Sequence, residues 1–540
     1  MNYHTRWMEQ LATQSRVGLA LALLAVAAIL VVRYAPDRAR FPLLVVAGLV
    51  YTGLGVLIAG GVLHLTGPWM MTAPPWYDEI FTALIARLPI DRMMTAIAGD
   101  VHPPLWYLIE AAAIRLGGGD SVVLLRLPAL GFGLLALWLS YRLALALGLG
   151  REVAALSIIL LALMPGQWYY AQEARMYTLL ECAVLLAALG ISTRRPWMMA
   201  AGMTITLYTH NLGAVYVAIL AGLYIWTEGI LSVCDLMRGE IRFPAMALQM
   251  LRDGLRPLGA IMLAWSPWLA VMLSQANHVG SGFWLPAYNL GGYLSEAARI
   301  FLMGAPPALA VNLTLLWVGL WALAVKSPSP QRTFIVALGG GAPLAMALAS
   351  ALWTPIYLHR ALLPTLPILA IGAAATLVRM RRDAANVILM LTIITLICGL
   401  TGMTKSAGEM TARMAEAIRP HCNSAVVVWH ANLASYIGLS YYLPECDHAV
   451  WPDAGNLAQA LTKQTQRAMG IRRAEAAAVR SDLLIVSVEN PMTTPAEAAA
   501  LAAALSLGRP AWVMTEEHEL MRVRAWRVDR KITNEEEIVK

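Results

Sequence analysis

The sequence predicts a polytopic α-helical membrane protein with a small C-terminal α/β domain, and three observations carry that class. First, apolar residues make up 59% of the 540 positions and charged ones only 14%, where a soluble globular chain carries roughly 25% charged. Mean hydropathy is correspondingly high, at +0.61. Second, the apolar residues gather into runs long enough, or nearly so, to cross the ~30 Å hydrocarbon layer. Third, beyond residue 403 charges return at ordinary density, and short apolar runs alternate with helical patterns. Disorder, a collagen repeat and a small disulfide scaffold are excluded at once.

The apolar runs fall at about 17–33, 41–65, 122–147, 153–165, 176–191, 197–210, 211–231, 258–274, 306–325, 334–352, 361–378 and 386–403. These are twelve candidates in a class of about 11–13 spans, counting the ~20 residues a crossing needs. A bilayer interior leaves the backbone no partner but itself, so the runs must be helices, and Gly or Pro inside them is no objection. Residues 1–403 therefore read as the transmembrane module and 404–540 as a separate soluble domain. The first run is followed by charged 33–40 rather than by a small-residue cleavage site. Five cysteines show no zinc spacing.

Orientation follows from Lys and Arg. One set of alternate loops holds Arg33, Arg38, Arg40, Arg142, Arg151, Arg194, Arg195, Arg238, Arg242, Arg252, Arg256, Lys326, Arg332, Arg379, Arg381 and Arg382, sixteen cations. The other set, with the N-terminal tail, has about nine. The first set is expected in the cytoplasm, so 66–121, 166–175, 275–305, 353–360 and everything after 404 face outward. Whether 17–33 crosses decides the side of the N-terminus. The net charge of +7 reads as an orientation signal rather than a nucleic-acid surface. The basic amphipathic segment 238–256 is expected on the anionic leaflet.

Two segments stand apart. The loop 66–121 holds two helix-like pieces, 77–98 and 104–116, that fit helices lying in the membrane surface. The tail holds strand-like runs at 424–430, 482–488 and 511–515, an edge strand at Met521–Val528, and helical patterns at 455–480 and 495–507. Cys422 and Cys446 both lie in this tail, where an oxidising compartment would permit a disulfide; two unpaired thiols are the alternative.

The outer loops also carry the residues suited to chemistry. Asp78 and Glu79 follow the rigid aromatic stretch Pro74-Pro75-Trp76-Tyr77, and Asp100 precedes Val101-His102-Pro103-Pro104-Leu105, with Pro favoured in a first helical turn. Solvated loop acids are the plain reading; a carboxylate fixed near a helix N-terminus and a bilayer can instead be functional. Arg126, Arg175 and Arg360 sit at outer span ends, where an arginine needs a partner. That partner is either a carboxylate, in a structural ion pair, or a phosphate, which a guanidinium grips with two prongs. His210 breaks an apolar run and could simply be its turn. His102 could donate to Asp100, bind a phosphate or cap a helix. The Asp, Glu and His set also suits a divalent metal, but no spacing fixes one.

These pieces, in this order, resemble the protein O-mannosyltransferase and aminoarabinose transferase family of C-type glycosyltransferases. The resemblance spans roughly 41–400. It rests on Asp78-Glu79, Asp100-Val101-His102-Pro103-Pro104-Leu105, Arg126-Leu127-Pro128, Gln172-Glu173-Ala174-Arg175-Met176-Tyr177, Tyr208-Thr209-His210 and Arg360-Ala361-Leu362-Leu363-Pro364. Two departures stand out: an apparent extra N-terminal span, and Ala361 where an aromatic usually follows the arginine. The resemblance implies a membrane enzyme moving a sugar from a polyprenyl-phosphate lipid to a hydroxyl of a lipid, envelope glycan or protein, outside the cytoplasmic membrane. It implies Asp78 as catalytic base, with Glu79 and Asp100 beside it. His102, Arg126, Arg175, Tyr177, His210, His359 and Arg360 are then expected to bind substrate, Arg175 and Arg360 first among the phosphate ligands. Direct attack would invert the anomeric centre, as in inverting glycosidases. No metal or other cofactor is assigned, and no nucleic acid partner is expected. A secondary transporter or flippase, with charges at the bilayer midplane, and a non-catalytic scaffold are the rival classes.

Overall fold

The computed structural model describes residues 70–119, 121–237, 255–280, 285, 287–301, 330–380, 406–454, 461–479, 481–489, 494–506, 510–518 and 521–528, with a few positions between 385 and 396. The expected spans 17–33, 41–65 and 306–325, most of 386–403 and most of the basic segment 238–256 lie outside these residues.

Within the first loop, proline placement sets the helix starts. Pro74 and Pro75 precede α1 (Tyr77–Ala86), Pro89 precedes α2 (Ile90–Ala98), and Pro103-Pro104 leads into α3 (Leu105–Gly117). The single piece expected over 77–98 is thus two helices, because a proline cannot continue the helix it follows. The apolar runs become α4 (Val122–Ala146), α5 (Arg151–Leu163), the short α6 (Pro165–Tyr170), α7 (Tyr177–Ser192), α8 (Pro196–Thr209), α9 (Gly213–Met237) and α10 (Arg256–Gly280). After α11 (Leu290–Arg299) come α12 (Pro330–Val336) and α13 (Ala342–Leu352), joined by a π turn over Ala337–Gly341, then α14 (Thr365–Arg379). Among the described residues, Val122–Ala146, Arg256–Gly280 and Thr333–Leu352 are long and apolar enough to cross a membrane. Helices α7 and α8 pack so closely that a Cβ on Gly190 would lie 2.4 Å from the Met199 nitrogen, and one on Gly202 2.5 Å from the Ala187 nitrogen. Small residues permit such backbone approach where apolar burial against lipid gives little drive.

The tail forms α15 (Ser406–Ile418) and then a five-stranded sheet. Its elements are β1 (Val426–His430), α16 (Leu433–Tyr442), β2 (Asp447–Val450), α17 (Lys463–Met469), β3 (Asp482–Glu489), α18 (Pro495–Leu505), β4 (Pro510–His518) and β5 (Met521–Val528). The strand order is β2-β1-β3-β5-β4, with β1 parallel to both neighbours and β5 antiparallel to both of its own. Residues 521–528 are therefore interior to the sheet and 510–518 form the edge, the reverse of the expected arrangement. A tight β4–β5 hairpin inserts its second strand beside β3. Cys422 and Cys446 are joined in a disulfide.

The tail domain is not a free appendage. Tyr442 Oη donates to the Pro75 carbonyl at 3.3 Å, Thr465 Oγ1 to the Ala96 carbonyl at 2.9 Å, and Arg92 Nε to the Ala468 carbonyl at 2.8 Å. The apolar cluster that fills the helical module continues through α16 and α17 by way of Leu433, Ile437, Leu461 and Ala468.

Candidate active site

Asp78 and Glu79 are neighbours in the first turn of α1, yet they do opposite things. An α-helix turns about 100° per residue, so one points toward the module core and the other toward an open side. Glu79 is buried: its carboxylate takes Arg126 in fork fashion, Nε to Oε1 at 2.7 Å and Nη2 to Oε2 at 2.6 Å, and it accepts the Ala174 backbone N–H at 2.8 Å. Arg126 Nη1 donates to the carbonyls of Met70 and Ala73. Arg126 has no exposed surface, and four of its five N–H donors are engaged by Glu79 and these carbonyls. Arg126 and Glu79, expected at the substrate and at the reacting centre, form a buried ion pair with each other at the start of α1.

Asp78 stays 19% exposed at its side chain. Its Oδ2 accepts Arg360 Nη1 at 2.8 Å and faces Arg175 Nη2 at 4.0 Å. Oδ1 has no hydrogen-bond partner among the described residues. Arg175 comes from the turn before α7, and Arg360 from the 3₁₀ turn His359–Leu362. Arg175 Nη1 also donates to Thr82 Oγ1 at 3.0 Å. Arg175 is buried and Arg360 nearly so, and the enclosed Nε of each, together with the Tyr177 hydroxyl, has no hydrogen-bond partner among the described residues. The Arg360 guanidinium lies over the Tyr177 and Trp76 rings, 5.7 Å from each centroid.

Asp100 ends the α2 segment and is fully enclosed. Its Oδ2 accepts the Tyr107 hydroxyl at 2.7 Å and His102 Nδ1 at 3.1 Å, while Oδ1 is buried without a partner. Arg175 Nη2 lies 3.3 Å from His102 Nε2; a guanidinium only donates, so Nε2 is the acceptor and Nδ1 carries the proton given to Asp100. Burial opposes the charge of Asp100, but His102 and the Tyr107 hydrogen bond outweigh it and hold the carboxyl below its usual range. Burial lowers His102 below the usual imidazole value, with Asp100 opposing.

His210 sits edge-on to His102 at 5.4 Å between ring centroids. Its Nδ1 accepts the Leu212 N–H at 3.1 Å, so its Nε2 carries the proton. His359, expected to touch substrate, is held between Glu296 at 2.5 Å and the Tyr170 hydroxyl at 3.0 Å. Burial works against the charge of Glu296, but His359 and Arg299 hold its carboxyl down, at about 2. Structure thus gathers Asp78, Asp100, His102, Arg175, Tyr177, His210 and Arg360 at one place, and sets Glu79, Arg126 and His359 one layer behind. The sequence reading missed Thr82, Tyr107, Tyr170 and Glu296. Tyr107 could have been sought, seven residues after Asp100 on the helix that Pro103-Pro104 starts; nothing in the spacing marked Glu296. Among the described residues, no group of three or more His, Cys, Asp or Glu side chains is gathered as a metal set.

No family model and no curated protein matches this chain. Solved structures do. ArnT from Cupriavidus metallidurans bound to undecaprenyl phosphate aligns over 88% of this chain and 98% of its own, at 15% identity and a TM-score of 0.53. The chain has the C-type glycosyltransferase fold. Weaker likenesses are the Archaeoglobus fulgidus oligosaccharyltransferase tethered to an acceptor peptide, at 11% identity and a TM-score of 0.43 over 91% of this chain and 71% of that one. Arabinofuranosyltransferase AftD from mycobacteria follows, at 13% identity and 0.41 over 84% of this chain and 39% of that one. In this C-type glycosyltransferase fold, Asp78 belongs to the first loop and Arg360 to a turn 282 residues later, so the site is built by the fold rather than by a local motif.

Proposed function

We propose that this protein transfers a sugar from a polyprenyl-phosphate lipid to an acceptor hydroxyl, on the extracytoplasmic face of the cytoplasmic membrane. The observation that carries the reading is the convergence of Arg175 and Arg360 on one oxygen of Asp78, with both enclosed Nε donors and the Tyr177 hydroxyl lacking acceptors among the described residues. Buried donors without acceptors are costly, and a phosphate supplies the oxygens they lack. A phosphate also offers each guanidinium a two-pronged partner. The ArnT structure, which aligns with this fold, was solved with undecaprenyl phosphate, and that ligand has the required chemistry: a phosphate head at the membrane surface on an apolar chain.

In the proposed reaction, Asp78 Oδ1 takes the proton of the acceptor hydroxyl. The acceptor oxygen bonds to the anomeric carbon as the bond from that carbon to the phosphate oxygen breaks. Both electrons of the broken bond leave on polyprenyl phosphate, whose charge Arg175 and Arg360 stabilise. A single displacement inverts the anomeric centre. Asp100, His102 and Tyr107 hold Arg175 and the rim of the site in place. Purified protein given a polyprenyl-phosphate sugar and acceptor is expected to release polyprenyl phosphate. Transfer from a nucleotide sugar with no lipid carrier present would defeat the reading. Comparing the envelope lipids, glycans and proteins of a deletion strain by mass spectrometry identifies sugar and acceptor together.

A further inference from the structure

Behind Arg360 lies a set of buried polar contacts that the reaction above does not use. Helix α11 exposes Leu290 (76%) and Leu294 (52%) while it buries Glu296 (5%). That is an inverted polarity: an acid goes inward only where it is paired. Glu296 Oε1 accepts two donors from one residue, the His359 ring Nδ1–H at 2.5 Å and the His359 backbone N–H at 3.2 Å. Its Oε2 faces Arg299 Nη1 at 3.1 Å. With Nδ1 protonated, His359 Nε2 is a lone pair, and the Tyr170 hydroxyl donates to it at 3.0 Å. On the other side of the turn, the Tyr216 hydroxyl donates to the Ala361 carbonyl at 3.0 Å. Arg360 is thus flanked in the chain by two anchored residues.

We propose that Glu296 is a positioning residue: by gripping both the ring and the backbone of His359, it aims Arg360 at the reacting centre. This rests on the reading of Arg360 as a phosphate ligand. The physical reason is the contrast between a long side chain and a short turn. An arginine side chain has many rotamers to give up when its fork is fixed, and a single 3₁₀ turn has few hydrogen bonds of its own to set the backbone. External anchors therefore decide where the guanidinium lies. A misplacement of roughly 1 Å can cost about 10²-fold in rate. One carboxylate oxygen accepting two N–H groups is a charge-assisted arrangement, and an amide oxygen reproduces its geometry without its charge.

The test is a double-mutant cycle on the purified full-length protein, reading polyprenyl phosphate release, together with hydrogen exchange at the His359 amide. E296A is expected to lower kcat by about 10–100-fold, E296Q to recover most of that loss, and E296A to cost nothing further in the R360A background. Exchange at the His359 amide should rise in E296A and stay low in E296Q. An equal loss from E296A in both backgrounds, or unchanged turnover and exchange in E296A, overturns the proposal. If E296A does not fold, E296D, which withdraws the carboxylate by one methylene, takes its place in the cycle. Should the wild-type protein release no polyprenyl phosphate from any donor, the functional reading has failed. The exchange measurement then still supports or overturns the grip of Glu296 on the turn.

Discussion

Among the described residues, Asp78 keeps one carboxylate oxygen without a hydrogen bond, whereas Asp100 has one oxygen on Tyr107 and His102 and the other enclosed. In the proposed reaction it is the first that receives a proton from an incoming hydroxyl. Asp78→Asn should therefore lower turnover by roughly 10²–10⁴-fold, the usual contribution of a general base, while donor affinity holds or tightens, because a competitor for both arginines loses its charge. Asp100→Asn should chiefly lower the melting temperature. The acid limb of the melting profile separates the two further. A carboxyl held below its ordinary 3.8 contributes stability that is present above that value and lost as pH falls through the folded value. Asp100→Asn should flatten that loss. Normal turnover in Asp78→Asn, with Asp100→Asn stable, donor-competent and inactive, would reverse the assignment. Arg126 and Glu79 make a third case. Arg126→Met leaves the enclosed Glu79 carboxylate without its cationic partner, and removing one partner of a buried pair costs about 3–5 kcal/mol. Calorimetry should show that loss, and protein rescued by lipid should bind donor normally. A raised donor Kd at unchanged stability would restore Arg126 as a phosphate ligand. The chain order alone marked Asp78, Arg175 and Arg360, but adjacency in sequence could not tell which of two neighbouring acids turns inward.

At the scale of elements, the long apolar runs were legible because hydropathy over some 20 residues leaves little choice but a helix. The tail was less so. Four strands could be read, but β2, with only four residues of mixed polarity, and α16, rich in Tyr and Ser, gave no period to detect. The helix expected over 455–480 is, in its described part, the α-helix Lys463–Met469, which stops at Gly470, whose φ is 73°, and a 3₁₀ turn at Ala476–Ala478. These missed elements matter, since α16 packs on α1, the helix that bears Asp78. Gly408 on α15 makes a second close approach from the tail: a Cβ there would lie 2.1 Å from the Pro74 carbonyl oxygen, just ahead of α1. Backbone cannot yield as a flexible side-chain tip can, so even Gly408→Ala must shift the domain or the Pro74-Pro75 segment. The expected outcome is a loss of turnover of about 10-fold or more with the domain itself still folded. Intact Cys422–Cys446 linkage by mass and a normal melting transition would establish the latter. Full activity in Gly408→Ala would show that the contact does not set the position of α1.

For the molecule as a whole, the decisive relation is which segments share a side. The charge asymmetry assigned 66–121, 166–175, 275–305, 353–360 and the tail to one face, and the structure joins representatives of all five. Asp78 meets Arg175 and Arg360, Glu296 meets His359, and Tyr442 meets Pro75. A secondary transporter would instead gather its charges in broken helices at the bilayer midplane. The sixteen cations of the opposite loops are the ground for proposing that this shared face lies outside. Two consequences can be measured independently. Single cysteines placed at exposed positions such as Lys463 or Arg467 should react with a membrane-impermeant maleimide in intact cells, whereas cysteines at Arg151 or Arg195 should react only after the membrane is opened. The Cys422–Cys446 disulfide should persist in vivo, since an extracytoplasmic compartment is oxidising and the cytoplasm is not. Labelling of the Lys463 position only in broken cells, with Cys422 and Cys446 found reduced, would place the whole face in the cytoplasm. Donor lipid and acceptor would then both have to be sought there, and the proposed site of sugar transfer would move with them.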